Sequence, residues 1–340
     1  LSLNSVSIIE VDNKMSLKVI WQHLCCLFIF GTVFKGAHWA YCALKTAKKL
    51  CKENQYDAII TKNSPSELLG SYFKKKKGYK WIATWNDPYP TKKYPKPYGN
   101  GVTAKLFILE SPLLNLMEKA DYHIFPNQRI RDYMRSYLNI PSEKTRIIPH
   151  VVIPREHHDT PHENLRIVHL GNLLPPRDAT PFLRALTEFN KNEKDAKLEI
   201  AFIGQTPQSV KDFVNTTHLE KYVKVFPPVK YKESQHILEN YDIQLIVEAP
   251  CEEGIFLPTK VSDSMQLGKP IFTISPSVGV LNDLYKQGHI SYFSSVQNEK
   301  NILSTLRQIY KDFTNGKIKS FSLEKSYSPR TIVQQYNEII

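Results

Sequence analysis

The sequence predicts an α/β chain of two doubly wound domains, and three observations carry that expectation. Short apolar runs alternate with amphipathic stretches at a repeat of roughly 25 to 30 residues, the rhythm of strands joined by crossover helices. The alternation pauses at residues 150–164, which hold two prolines and four histidines, and restarts at Leu165. The chain has 340 residues, more than a single hydrophobic core usually organises. The expected boundaries are 1–153 for the first domain, 154–164 for the linker and 165–327 for the second, with a last helix over 328–340 packing back on the first domain.

In the first half, residues 17–34 form the most apolar window, but Lys18, Gln22 and His23 interrupt it. The remainder falls short of the ~20 residues a membrane span needs, so a buried or membrane-surface helix is expected. An amphipathic helix over 39–52 leads to a short buried strand over 56–61. Ser64-Pro65-Ser66-Glu67 then reads as a cap, a first-turn proline and a capping-box glutamate. That helix ends in Lys74 to Lys77 and Gly78. The lysines suit a helix C-terminus, and equally, with Lys92, Lys93 and Lys96, a patch facing anionic lipid. A strand over 80–85 delivers Asp87 just past its carboxyl end, where α/β sheets place ligands, although an aspartate before proline is also an ordinary turn residue. Strands over 121–126 and 145–149 flank a helix over 129–138.

In the second half, a strand over 165–170 ends at Gly171-Asn172, and Arg177 follows in the loop before a helix over 180–190. Strands are expected at 198–203, 223–226, 243–247 and 271–274, with helices between, and a further helix at 298–313. Pro258 suits a first helical turn and Gly268 a stop, which puts a helix over 259–267. Lys260 and Asp263 then share one face beside the positive end of the helix dipole. A cation and a carboxylate there fit a diphosphate and a sugar hydroxyl; they also fit a plain surface ion pair.

Composition narrows the classes of function. Five cysteines with no Cys-x-x-Cys spacing indicate reduced thiols rather than a disulfide framework or a metal site. His157, His158, Asp159 and His162 read as solvated linker residues, not metal ligands. The net charge is +12, and residues 1–150 hold 23 of the 45 Lys and Arg but only 11 of the 33 Asp and Glu, so the whole excess lies in the first half. Such asymmetry suggests an anionic partner for that domain. No stacking-aromatic or recognition-helix pattern points to nucleic acid. Neither Gly-x-Gly-x-x-Gly nor Gly-Lys-Ser/Thr follows any strand, and the sequence opens on Leu1 without a signal-peptide pattern.

Taken together, residues 165–172 with Arg177, residues 223–229, residues 257–270 (Leu-Pro-Thr-Lys-Val-Ser-Asp-Ser-Met-Gln-Leu-Gly-Lys-Pro) and the turn 275–279 resemble, in order, the donor half of family 4 glycosyltransferases of the GT-B fold. These pair two Rossmann-like domains across a cleft. Residues 56–61, 81–89 and 120–127 resemble the acceptor half less tightly. The resemblance implies that Gly171, Asn172, Arg177, Lys260, Ser277, Val278 and Gly279 bind the donor diphosphate, that Asp263 holds the ribose, and that Val229 lines the base pocket. It implies catalytic roles for Asp87, toward the acceptor, and for Glu253. The family's paired acids stand eight apart, whereas the position eight before Asp263 is Ile255 and the second acid is Asp rather than Glu. No first strand with a glycine-rich loop is evident before Asp57, which fits either a piece of a longer reading frame or a reduced acceptor domain. The implied activity is retaining sugar transfer, without metal or cofactor, from a nucleotide sugar to a glycan or polyprenyl-linked acceptor in cell-surface polysaccharide synthesis. The implied place is cytoplasmic, peripheral on the inner membrane face. The competing expectation is a non-catalytic subunit that binds a nucleotide sugar or a partner enzyme.

Overall fold

The computed structural model describes residues 8–11, 18–156, 162–193, 195–296, 298–319 and 324–340. They form two compact units. The first comprises the chain up to Tyr94, Gly101–Ile148 and Tyr336–Ile340; the second comprises Pro95–Asn100 and Pro149–Gln335.

The first unit contains, in chain order, α1 (Lys18–Phe30), α2 (His38–Glu53), β1 (Ala58–Lys62), α3 (Glu67–Lys77), β2 (Lys80–Thr84), α4 (Pro112–Met117), β3 (Tyr122–Phe125), α5 (Gln128–Arg135) and β4 (Thr145–Ile147). Its strands pair in parallel in the order β1-β2-β3-β4. Parallel strands covered on both faces need continuous apolar runs, and β2 supplies one, with Trp81, Ile82 and Ala83 fully buried. Gly70 in α3 gives the Trp81 indole its place, because a Cβ there would lie 2.2 Å from the ring nitrogen.

Two expectations for this unit are corrected. Ser66, not Ser64, precedes α3, and no side chain caps its first turn. Glu67 does not reach back to the backbone: it is buried and neither carboxyl oxygen has a hydrogen-bond partner. The cause is that this turn packs inward and takes the side chain away from solvent. Burial pushes the Glu67 carboxyl up to about 8, against the weaker pulls of its own backbone amide and then of Ser64. A raised acid stabilises the fold in its protonated form. The contribution is therefore complete below the unfolded value near 4.5 and is lost as pH rises through about 8. Wild type is expected to lose up to a few kcal/mol of stability between pH 5 and 9, and Glu67→Gln to be flat over that range, as urea midpoints measured across the window would show.

The basic patch is also smaller than expected. Lys93 is buried, its ammonium held by the carbonyls of Val102 (2.6 Å) and Ala104 (3.0 Å). Lys74 pairs with Asp121 at 2.6 Å and Lys92 with Glu110 at 3.1 Å.

The second unit continues with β5 (Leu165–Leu170), α6 (Thr180–Asn192), β6 (Leu198–Ile203), α7 (Gln208–Thr216), β7 (Val223–Phe226), α8 (Tyr231–Glu239), β8 (Ile243–Val247), α9 (Thr259–Gln266), β9 (Ile271–Ser275), α10 (Val280–Lys286), β10 (Tyr292–Ser295) and α11 (Glu299–Thr314). The final helix, α12 (Pro329–Asn337), begins in this unit and ends in the first. All six strands are parallel, in the order β10-β9-β8-β5-β6-β7. Every residue of β8 and β9 is buried, as central strands covered on both faces require. The core packs α6 and α11 onto one face of the sheet through Phe182, Phe189, Ile302 and Leu306. The edge strand β10 was not expected from the sequence, where its serines break the apolar run.

After β5 the chain moves outward through β6 and β7, then returns to the other side of β5 at β8. That reversal opens a crevice at the carboxyl ends of β5 and β8, the topological switch point where doubly wound sheets bind ligands. The first sheet runs in chain order and has no such reversal among the described residues.

Candidate functional site

The residues delivered to this crevice form one charged cluster. Past β5, Gly171 turns with φ +105°, and a Cβ at that position would lie 2.9 Å from Lys260 Cε and 3.2 Å from its Nζ. The glycine is thus what lets the lysine lie against the loop. Lys260 is in the first turn of α9, whose Pro258 N-cap and Gly268 stop were legible in the sequence. Its Nζ stands 3.5 Å from His169 Nε2, and His169 Nδ1 meets the Leu245 carbonyl at 3.1 Å. His169 is fully buried beside two cations, Lys260 first, so its ring is held neutral, well below the usual imidazole range. Burial, and then Arg177, lower the Lys260 ammonium to about 8, against the opposing pull of Glu248 and Asp263.

Arg177 donates from Nε to Glu248 Oε1 at 3.2 Å. Burial opposes its charge, but Glu248 and then Tyr98 outweigh burial and hold the guanidinium firmly protonated. Glu248 follows β8 directly and is 7% exposed. Arg177 and Lys260 thus stand together at the first turn of α9, with Glu248 on the arginine and Asp263 drawing on the lysine, and two neighbouring cations beside a helix N-terminus are the elements of an anion site.

The remaining candidates sit around it. Asn172 accepts from the Gln205 amide at 3.1 Å and so ties the β5 loop to the β6 loop. Asp263 accepts from the Tyr231 hydroxyl at 2.8 Å, and burial raises its carboxyl despite that bond. Gly279 and Gly254 meet in a parallel bridge, with Gly254 N–H donating to the Val278 carbonyl at 2.8 Å. Ser277 donates to Ser295 at 2.9 Å, and Val278 is exposed. Val229 packs with Val168, Leu170 and Leu267. The groove beside it, about 460 Å³, is lined instead by Leu174, Pro175, Gly204, Phe226, Pro227 and Pro228. Glu253 is exposed in the loop before Gly254. The acid that touches Arg177 is Glu248, and sequence reasoning missed it because a lone glutamate after an apolar strand carries no local signal. His169, Tyr231 and Tyr98 escaped for the same reason. Asp87 lies in the first unit, half-buried, where burial first and then the Asp87 charge raise the Tyr94 phenol.

His157, His158 and Asp159 lie outside the described residues, while His162 meets Asp242 at 2.9 Å. No group of three or more His, Cys, Asp or Glu among the described residues could hold a metal ion.

Comparison with known proteins places this geometry. The sequence profile of Glycosyltransferase Family 4 matches residues 27–156. No curated protein matches the chain by sequence. Among solved structures, sucrose-phosphate synthase from Thermosynechococcus elongatus superposes with a TM-score of 0.62 at 14% identity, over 90% of this chain and 78% of that one. HepE of Anabaena, solved with UDP and glucose, gives 0.57 at 14% identity over 86% and 80%. The lipopolysaccharide outer core galactosyltransferase WaaB gives 0.57 at 13% identity over 88% and 79%. At these identities the likeness is one of fold, and the fold is GT-B. Residues 27–156 thus match the Glycosyltransferase Family 4 profile, and the chain shares the GT-B fold of the solved glycosyltransferases.

Proposed function

We propose that the chain is a retaining, metal-independent glycosyltransferase. It moves a sugar from a nucleoside-diphosphate sugar to a glycan or polyprenyl-linked acceptor in cell-surface polysaccharide synthesis. The observation that carries the donor assignment is the placing of Arg177 and Lys260 by the Gly171 turn at the switch point, beside a largely apolar groove of about 460 Å³, roomy enough for a nucleoside. Negative charge grows on the departing diphosphate, so fixed cations there stabilise the transition state more than the bound substrate. Asp263 lies one helical turn further along α9 and is met by the Tyr231 hydroxyl from the start of α8, a pair suited to the ribose hydroxyls. Asp87 is assigned to the acceptor and Glu253 to the transferred sugar, both following the family resemblance. Retention of configuration follows the same resemblance, and HepE's UDP suggests a uridine nucleotide as the first donor to test.

An acceptor carried by lipid gives the first unit a role. On α1 the side chains of Ile20, Trp21, Leu24 and Phe28 are exposed, as are Phe107 and Ile108 in a loop tied to the segment just after α1 by hydrogen bonds from Val33 and Thr32 to the Leu109 carbonyl. Exposed Lys18, Lys35 and Lys105 accompany them. Apolar side chains with flanking cations suit the headgroup boundary of an anionic membrane. No helix among the described residues is long and apolar enough to cross one.

The test is a panel of UDP, GDP, ADP and dTDP scored by thermal stabilisation, followed by turnover of the matching sugar nucleotide and by sedimentation with anionic vesicles. Stabilisation by one nucleotide at micromolar concentration, with sugar release, is expected. No response to any nucleotide would overturn the donor site, binding without turnover would leave a binding subunit, and a chain that never sediments would overturn the membrane reading.

A further inference from the structure

The segment Pro95–Asn100 lies in the sequence between parts of the first unit yet belongs structurally to the second. Its Tyr98 is fastened there by four contacts. The hydroxyl donates to Glu248 Oε2 at 2.6 Å and accepts from the Ala249 amide at 3.3 Å. The ring meets Phe256 edge-on at 4.9 Å and lies 5.5 Å from the Arg177 guanidinium carbon. The two oxygens of Glu248 are therefore divided, one on Tyr98 and one on Arg177 Nε.

We propose that Tyr98 is a positioning residue for the diphosphate, acting through Glu248 on Arg177. The inference rests on reading this crevice as the donor site. A carboxylate beside two cations can turn to either of them, and a buried one turns to whichever donors satisfy it. With Oε2 committed to Tyr98, Glu248 grips Arg177 only from the Nε side, and the Nη edge is left to form a paired fork with phosphate oxygens. Without the Tyr98 hydroxyl, Oε2 has lost its donor and the carboxylate takes its second bond from Arg177 Nη or Lys260. Those are the groups a diphosphate needs, so Glu248 becomes the competing anion. Because Tyr98 comes from sequence far before the donor half, the diphosphate site is complete only when the 95–100 segment is seated.

The test compares wild type and Tyr98→Phe, which keeps the ring and its contacts with Phe256 and Arg177, for binding of UDP and of uridine by calorimetry. The pair is replaced by GDP and guanosine, or ADP and adenosine, where the nucleotide panel selects a purine. Wild type is expected to prefer the diphosphate strongly, and Tyr98→Phe to lose about tenfold in UDP affinity with uridine affinity unchanged, a drop of ~1.4 kcal/mol. Parallel loss of both affinities would reveal a merely structural tyrosine and overturn the proposal. An unchanged UDP-to-uridine ratio, or tighter UDP binding in the variant, would overturn it as well. A wild type that binds neither compound would instead sink the donor-site reading beneath it.

Discussion

Replacement of Lys260 by alanine is expected to lower kcat/KM for sugar transfer by about a hundredfold to a thousandfold, the usual loss for one charge-stabilising donor. The lysine is half-buried beside Gly171, His169 and Arg177, so its charge acts across a short, only partly screened distance. The fold should tolerate the change, because burial already makes that ammonium costly, Glu248 keeps Arg177 and Tyr98, and Asp263 keeps the Tyr231 hydroxyl. Steady-state kinetics with circular dichroism as the control would check it, and undiminished turnover would remove Lys260 from the site. A pH dependence follows from the same environment. A bound diphosphate favours the charged lysine, so affinity is retained below about 8 and falls as pH rises through that value. The terminal phosphate, with a pKa of ~6, is already ionised there and adds no slope. Nucleotide affinity should therefore fall by up to about tenfold per pH unit above 8 in wild type and stay flat in Lys260→Ala.

Gly204→Ala is expected to be the most damaging single methyl group in the second unit. Gly204 follows β6 with φ +143°, a region closed to residues with a side chain, and its Cβ would stand 2.3 Å from the Gly171 carbonyl oxygen and 2.5 Å from the carbonyl carbon. Both obstacles are backbone and cannot rotate away. Relief requires moving the Gly171 turn, which is pinned by the Gly171 amide on the Ile203 carbonyl at 2.7 Å and by the Gln205 amide on Asn172. We expect a loss of about 3 kcal/mol or more, read as a lowered urea midpoint of the second unit, together with loss of nucleotide binding because Lys260 lies against the Gly171 turn. Gly268→Ala is the contrast: φ is +59° but nothing lies within 4 Å, so about 1 kcal/mol and intact binding are expected. Equal effects of the two changes would show that backbone conformation, not the Gly171 contact, sets the cost.

What could be read from the chain alone was whatever leaves a local trace. The strands β5, β6, β7 and β8 were legible to the residue because each is a short, mainly apolar run between polar turns, as burial in a parallel sheet favours. Helix α9, its Pro258 start and Gly268 stop, and the nearness of Lys260 to its N-terminus were legible from helix-end chemistry. The fate of Glu67 was not: a capping-box pattern states what a glutamate can reach, and packing of α3 decided where it went. The composition of the diphosphate cluster belongs wholly to tertiary structure. Arg177 and Glu248 are 71 residues apart, and Tyr98 and Glu248 150 apart. They meet because the strand order sets β5 beside β8, and because a segment from the first half is seated in the second unit. Periodicity records which face of each element is buried. Which buried edges become neighbours is decided by the strand order, and no window of local sequence contains it.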